Sequence, residues 1–244
     1  MITYDSDLKF FYSTLINDGK FYGGFGTKEL GDGRNIDTAI NFAQANIPNF
    51  KTIVIPEQIH SVNVNNFSAN LIDNVERISE TDGVITQDLN SVLTIITGDC
   101  VPIIFTEKKY GIIGISHQGW RGSVKRMAQK MINKIIESGG KKENIFVAIG
   151  PSIGQCCYDI EDERYYEFLE EFNGFADKIF HRHQGKLHLN LALLNYLQIK
   201  EAGVPKKNID FFPFCTKCDK KRFFSYRRDK KTDYGEMLSF VVRT

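Results

Sequence analysis

The chain has 244 residues, of which 42% are hydrophobic and 25% charged, ordinary usage for a folded protein with a substantial core, and disorder is not indicated. Thirty-one Lys and Arg against thirty Asp and Glu leave a formal charge of +1, far from the basic field of a dedicated nucleic-acid binder. The opening segment has no basic region followed by a long apolar run, and no stretch reaches the ~18 apolar residues of a membrane helix, so the expectation is a cytoplasmic chain that binds neither membrane nor nucleic acid. Five cysteines, odd in number and unevenly spaced, argue for reduced thiols or thiolate ligands over a disulfide framework.

In chain order, residues 51–67 read as a short apolar strand, a break at Pro56, a loop carrying His60 and an alternating strand. Ser91 to Thr97 and Val101 to Phe105 are β-branched runs that predict buried strands, with Gly98, Asp99 and Cys100 between them. Residues 112–116 predict a third strand running into His117. A helix is predicted from Ser123 to Ser138, with Val124, Met127, Ala128, Met131 and Ile135 at spacings of three and four, ended by Gly139 and Gly140. Further strands are expected at Asn144 to Ile149, Ile209 to Phe212 and Met237 to Val242, and helices near Asp162 to Phe172 and Ala192 to Gly203. There is no repeat or linker, and the long polar stretch from Lys217 to Asp233 is interrupted by Phe223, Phe224 and Tyr226. The expectation is a single domain over residues 1–244, mixed α and β throughout.

His60, Cys100 and His117 each fall at the end of a predicted strand, where loops from a rigid sheet converge. Two imidazoles and a thiolate suit tetrahedral zinc, and three protein ligands leave a fourth position open, as catalytic sites do. By spacing alone, three scattered residues need not meet, and a buried Cys or a satisfied core His is the plainer account.

Cys215 and Cys218 form a CxxC that could be half a zinc ribbon or a redox pair, but a ribbon needs a second half. Cys156 and Cys157 are adjacent, and in extended chain they would point to opposite faces. The expectation is therefore that Cys215 and Cys218 are reduced and structural rather than holders of a second metal. Glycines at 119–122 and 150–154 could cradle an anion at a helix N-terminus but match no phosphate-loop fingerprint. His181, His183 and His188 lie in a polar stretch read as a solvated surface loop. Arg121, just beyond His117, is the candidate for an anion contact, since guanidinium matches phosphate bidentately; the alternative is a structural Arg paired with a carboxylate.

Six motifs in order, QIHS at Gln58, TDGVIT at Thr81, TGDCVPIIF at Thr97, SHQGWRG at Ser116, IGPSIGQCCYDI at Ile149 and CTKCDKKRFFSYRRD at Cys215, resemble the laccase-domain family, also called YfiH-like or peptidoglycan-editing-factor proteins. The resemblance covers residues 51–244 and implies zinc ligands at His60, Cys100 and His117. It also implies an α+β fold of two packed mixed sheets flanked by helices, an α/β/β/α sandwich. The implied activity is purine nucleoside phosphorolysis on adenosine, guanosine or inosine and methylthioadenosine, with nucleoside and phosphate as partners; some members also deaminate adenosine. Two rivals stand beside it: a copper-dependent phenol oxidase, because blue copper also takes two His and one Cys, and a non-catalytic factor in peptidoglycan editing. The sequence departs from the family pattern in three places: a glycine-rich segment only echoed by Gly23, Gly24 and Gly26, Asn190 where an acidic residue is usual, and Glu236 where an Arg is usual.

Overall fold

The computed structural model describes residues 1–69, 74–230 and 234–244. The chain opens with strands β1 (Ile2–Asp5), β2 (Phe10–Ser13) and β3 (Phe21–Gly26), then helix α1 (Ile36–Asn46), β4 (Thr52–Pro56), β5 (Val64–Phe67), β6 (Val75–Ile78) and β7 (Gly83–Thr86). Long strands β8 (Ser91–Thr97), β9 (Val101–Glu107) and β10 (Ile112–Gln118) lead into helices α2 (Trp120–Val124) and α3 (Met127–Glu137) and strand β11 (Ile145–Ile149). Next come β12 (Asp159–Ile160), α4 (Asp162–Phe172), α5 (Ala176–Ile179), β13 (Phe180–His183), β14 (Lys186–Leu189) and α6 (Leu191–Glu201). The chain ends through β15 (Ile209–Phe211), α7 (Tyr226–Asp229) and β16 (Met237–Arg243).

Two mixed sheets carry the fold, a seven-stranded one in the order β1-β2-β3-β16-β8-β4-β6 and a six-stranded one in the order β15-β11-β9-β10-β7-β5, with a small three-stranded sheet β12-β14-β13 beside them. Alternation between two covered faces explains why nearly every residue of the central strands is buried. Leu93 and Ile95 of β8, Ile104 of β9 and Ile113 and Ile115 of β10 fill the space between the two sheets. Their neighbours face the other way: Val92 packs with Phe42 and Ala43 of α1, while Ile103, Phe105 and Ile112 pack with Met127, Met131 and Ile135 of α3. A strand covered on both faces reads as a continuous hydrophobic run, each such side chain contributing about 1.5–3 kcal/mol by burial. The result is the α/β/β/α layering that the resemblance implied.

Two sequence expectations need correction. The single helix from Ser123 to Ser138 is two helices, starting earlier at Trp120 and broken at Arg126, which takes a left-handed φ of 60°. The break is held from outside: Gln198 Nε2 of α6 donates to the Ser123 carbonyl at 2.8 Å and Asn195 Nδ2 to Ser123 Oγ at 2.9 Å, and Arg126 donates to Glu201 at 2.7 Å. The apolar spacing runs through the break unchanged, which is why periodicity hid it. The histidine-rich stretch is not a loop but the β13–β14 hairpin; His181 and His183 are exposed, while His188 is buried with Nδ1 2.8 Å from the Gln155 carbonyl. The polar stretch after Lys217 includes the short helix α7, and its residues 231–233 lie outside the described residues.

The missing acidic residue at 190 has a plain structural answer. Asn190 is the N-cap of α6, its side chain accepting from Leu193 N at 3.0 Å, a position that Asn and Asp fill equally well.

Candidate metal centre

Strand register brings the three sequence-predicted ligands together. In the β9–β10 ladder Val101 lies opposite Gln118 and Pro102 opposite His117, so Cys100, one residue before β9, sits beside the end of β10. In the β7–β10 ladder Gly83 lies opposite Ser116, which sets Asp82 next to His117. Strand β5 runs parallel to β7 with Val64 beside Gly83, so the loop before β5, carrying His60, arrives at the same corner. The ligand atoms of His60, Cys100 and His117 all lie within 4.8 Å of one another. Cys100 Sγ is 4.0 Å from His60 Nε2, and the two imidazole rings are 4.7 Å apart at 87°.

The residue that organises this corner is Asp82, which is fully buried. Its Oδ1 lies 2.8 Å from His117 Nδ1; an ionised carboxylate only accepts, so Nδ1 carries a proton, and Nε2 is the ring atom left to face the ligand cluster. The same carboxylate accepts from the backbone N–H groups of Ile59, His60 and Ser61 at 3.2, 3.1 and 2.6 Å, and from Ser61 Oγ at 2.6 Å. One side chain thereby aims one ligand and shapes the loop of another, with His60 in a left-handed conformation at φ 60°. Burial alone would push the Asp82 carboxyl up, but the bonds from His117 and Ser61 outweigh it and hold it below the usual carboxylate value. Gln58 completes the loop's anchoring, exchanging two 2.8 Å hydrogen bonds with the backbone of Ile96 on β8.

Cys100 is held through its neighbour. Asp99 takes a φ of 98° and accepts from Thr216 Oγ, Ser225 Oγ and Arg227 N at 2.6, 3.1 and 2.7 Å, tying the turn before β9 to the segment leading into α7. Burial pushes the Cys100 thiol up, yet His117 and His60 beside it outweigh burial and bring it down to about 7. Burial lowers His117 likewise, but Cys100 and Asp82 lift it to about 10. The corner is electrostatically built around an anionic sulfur facing a cation.

Gly119, the N-cap of α2, lies against all three ligands. A Cβ there would lie 2.7 Å from His60 Cδ2, 3.4 Å from Cys100 Sγ and 3.6 Å from His117 Cε1, so only glycine leaves room among the ligands. The donor set, its orienting carboxylate and this cradle fit a tetrahedral, borderline-soft ion such as zinc with one position open.

All three residues line a cavity of about 770 Å³, within the range of small-molecule sites. Tyr158, Tyr226 and Tyr234 give it aromatic surface, and Arg121 and Arg164 give it charge. Both guanidinium groups lie 4.3 Å from the centre of the Trp120 ring. Arg121 is exposed, and no carboxylate among the described residues forms an ion pair with it. Asp82, Asp99 and Arg164 escaped the sequence reading as site residues, and Gly119 was read as part of an anion cradle rather than as the space among the ligands. Asp82 and Asp99 lie inside quoted motifs, but no spacing rule distinguishes a carboxylate that orients a ligand from one that faces water.

The sequence argument set Cys156 and Cys157 apart from Cys215 and Cys218, and this is corrected. Cys156 and Cys157 lie in a turn rather than extended chain, and all four cysteines converge with their sulfurs within 4.8 Å of one another.

Residues 31–244 match the family model described as multi-copper polyphenol oxidoreductase laccase, and the chain belongs to that family. It is 32% identical over 241 residues to a purine nucleoside phosphorylase of Clostridium acetobutylicum, covering 95% of this chain and 96% of the relative. It is 33% identical over 201 residues to adenosine deaminase RL5 from an unknown prokaryotic organism, covering 80% and 77%. Among solved structures, YlmD from Geobacillus stearothermophilus superposes with a TM-score of 0.82 at 25% identity over 99% of this chain and 98% of that one. The hypothetical protein YfiH of Bacillus licheniformis does so with a TM-score of 0.80 at 27% identity, over 92% and 93%. No helix among the described residues is long and apolar enough to cross a membrane.

Proposed function

We propose that this chain is a zinc-dependent purine nucleoside phosphorylase of the cytoplasm, acting on adenosine, guanosine or inosine and methylthioadenosine, with adenosine deamination as a second activity of the same pocket. The observation that carries the reading is that the His60, Cys100 and His117 cluster faces a cavity also lined by Arg121 and Arg164, in a chain whose relatives bear those two activities in their names. When bound by the three ligands, zinc supplies an open coordination position that orients and polarises a reactant oxygen.

The chain supplies the rest. In phosphorolysis a phosphate oxygen bonds to the ribose C1′ while the bond from C1′ to the purine nitrogen breaks, and the purine leaves with that electron pair and takes up a proton. Arg121 and Arg164 bind the phosphate, their planar donors matching its oxygens, and Trp120 holds both guanidinium groups by cation–π contact. Arg164 Nε is buried with no hydrogen-bond partner in the protein, a donor whose natural acceptor is a ligand. Tyr158, Tyr226 and Tyr234 offer flat faces for the base.

A copper phenol oxidase of the multicopper kind needs further imidazole-rich sites. Among the described residues the other cluster of ligating side chains is entirely cysteine, which favours the nucleoside reading. The test is release of free base from inosine, adenosine and guanosine by zinc-loaded protein with phosphate varied. Phosphate-dependent release is expected; oxidation of a phenol with copper-loaded protein and no base release would replace this reading, and inactivity in both assays would move the chain to the non-catalytic, cell-wall-editing alternative.

A further inference from the structure

The four-cysteine cluster shares no residue with the metal centre, and its thiols, carried on two turns, take no part in the proposed reaction. The first turn, Gly154 to Tyr158, is closed by Cys157 N and Tyr158 N donating to the Gly154 carbonyl at 2.9 and 3.1 Å. The second begins at Cys215, which pairs in an isolated parallel bridge with Ser152, and Thr216 N donates to the Ser152 carbonyl at 3.0 Å. Between them, Cys218 Sγ lies 3.6 Å from Cys156 Sγ and 3.4 Å from Cys157 Sγ. All four sulfurs fall within 4.8 Å of one another.

These separations suit a shared ion better than a covalent link. Sulfurs at about 2.3 Å from a tetrahedral zinc stand about 3.8 Å from each other, whereas a disulfide needs about 2.05 Å. The backbone is arranged for thiolate as well: Gly154 N donates to Cys215 Sγ at 3.1 Å. Glycine at 154 keeps the space clear, because a Cβ there would meet Cys215 Cβ at 3.0 Å, Cys156 Sγ at 3.3 Å and Cys215 Sγ at 3.4 Å.

We propose that Cys156, Cys157, Cys215 and Cys218 form a second metal site, a closed tetrathiolate centre for zinc. Four protein ligands leave no open position, so the site is structural. Its place in the fold says what it stabilises. The first turn joins Ile153 to Tyr158, and the second leads through Thr216, which donates to Asp99 at 2.6 Å, to Tyr226 and Arg227; Ile153, Tyr158, Tyr226 and Arg227 all line the cavity. The ion therefore pins two cavity walls to each other and, through Asp99, steadies the turn that presents Cys100.

The test is metal content of the full chain, purified under reducing conditions without chelator. The Cys100→Ala variant removes a ligand of the first centre only, and it is expected to keep one zinc per chain. Cobalt exchanged into that variant should give the strong sulfur-to-cobalt charge transfer of four thiolates, which one thiolate cannot produce. The double variant Cys215→Ser and Cys218→Ser should lose this signature and one zinc equivalent. Should the double variant not fold, the cobalt spectrum of Cys100→Ala decides alone. A folded Cys100→Ala chain free of metal, or a cobalt spectrum of fewer than four thiolates, overturns the proposal, as does a disulfide within the cluster of the reduced, metal-supplied protein. If the first centre held no zinc, the unaltered chain would show one ion with four thiolates, so the two readings fail separately.

Discussion

Two clusters of metal-ligating side chains sit on the same face of the fold's logic but are built in opposite ways. The His60, Cys100 and His117 centre stands at the ends of long sheet strands, mixes nitrogen and sulfur, and is aimed by a buried carboxylate, with a cavity on its open side. The four cysteines stand on two surface turns, use sulfur alone, and have no imidazole or carboxylate among them. Strand ends give rigidity and an approach for substrate, whereas turns give compact wrapping around an ion. The difference separates a place for chemistry from a place for fastening, and each half of it can be broken by substitution.

The largest effect should come from crowding the open centre. Gly119→Ala places a methyl group 2.7 Å from His60 Cδ2, so His60 must move; loss of one zinc per chain and of base release is expected, with the four-cysteine zinc retained. Gly122→Val is the milder companion, since its Cβ meets the Ser61 carbonyl at 3.2 Å, and should weaken zinc binding without abolishing it. Isothermal titration of zinc into the stripped variants orders the two; equal affinities would contradict the cradle. Next, Asp82→Asn removes the charge that aims His117, and zinc affinity at that centre should drop by about 10–100-fold, again sparing the other. Unchanged affinity would mean that Asp82 only shapes the loop.

Smaller effects should fall on the substrate side. Arg121→Ala and Arg164→Ala should each raise the KM for phosphate by about tenfold, the scale of one charge-assisted hydrogen bond, and change adenosine deamination much less. Equal damage to both reactions would place the arginines in the nucleoside site instead. The smallest is a control at a residue that belongs to neither cluster: Asn190→Ala should cost about 1 kcal/mol of stability through the lost cap of α6, read as a lower Tm, while Asn190→Asp should be neutral and metal content unchanged in both.

The same contrast governs what was legible in the sequence. The strands that hold the first centre are long and rich in β-branched and apolar residues, so Ser91–Thr97 and Val101–Glu107 announce themselves, and the ligands at their ends follow. The short strand Gly83–Thr86 does not, because four residues opening on glycine carry no periodicity; with it went the reason for Asp82. The cysteine cluster was hidden by assuming extended chain at Cys156 and Cys157, where a hydrogen-bonded turn places both sulfurs on one side. The break at Arg126 was hidden because it is imposed by α6, through Asn195 and Gln198, and leaves the apolar spacing of α3 intact.

The most direct test of the open centre is formation of ribose 1-phosphate and free base from inosine, adenosine and guanosine by zinc-loaded protein, measured beside the His117→Ala variant. The account predicts base release that rises with phosphate, needs zinc, and disappears in His117→Ala together with any deamination of adenosine. Base release that persists undiminished in His117→Ala, or that is indifferent to phosphate, would contradict it.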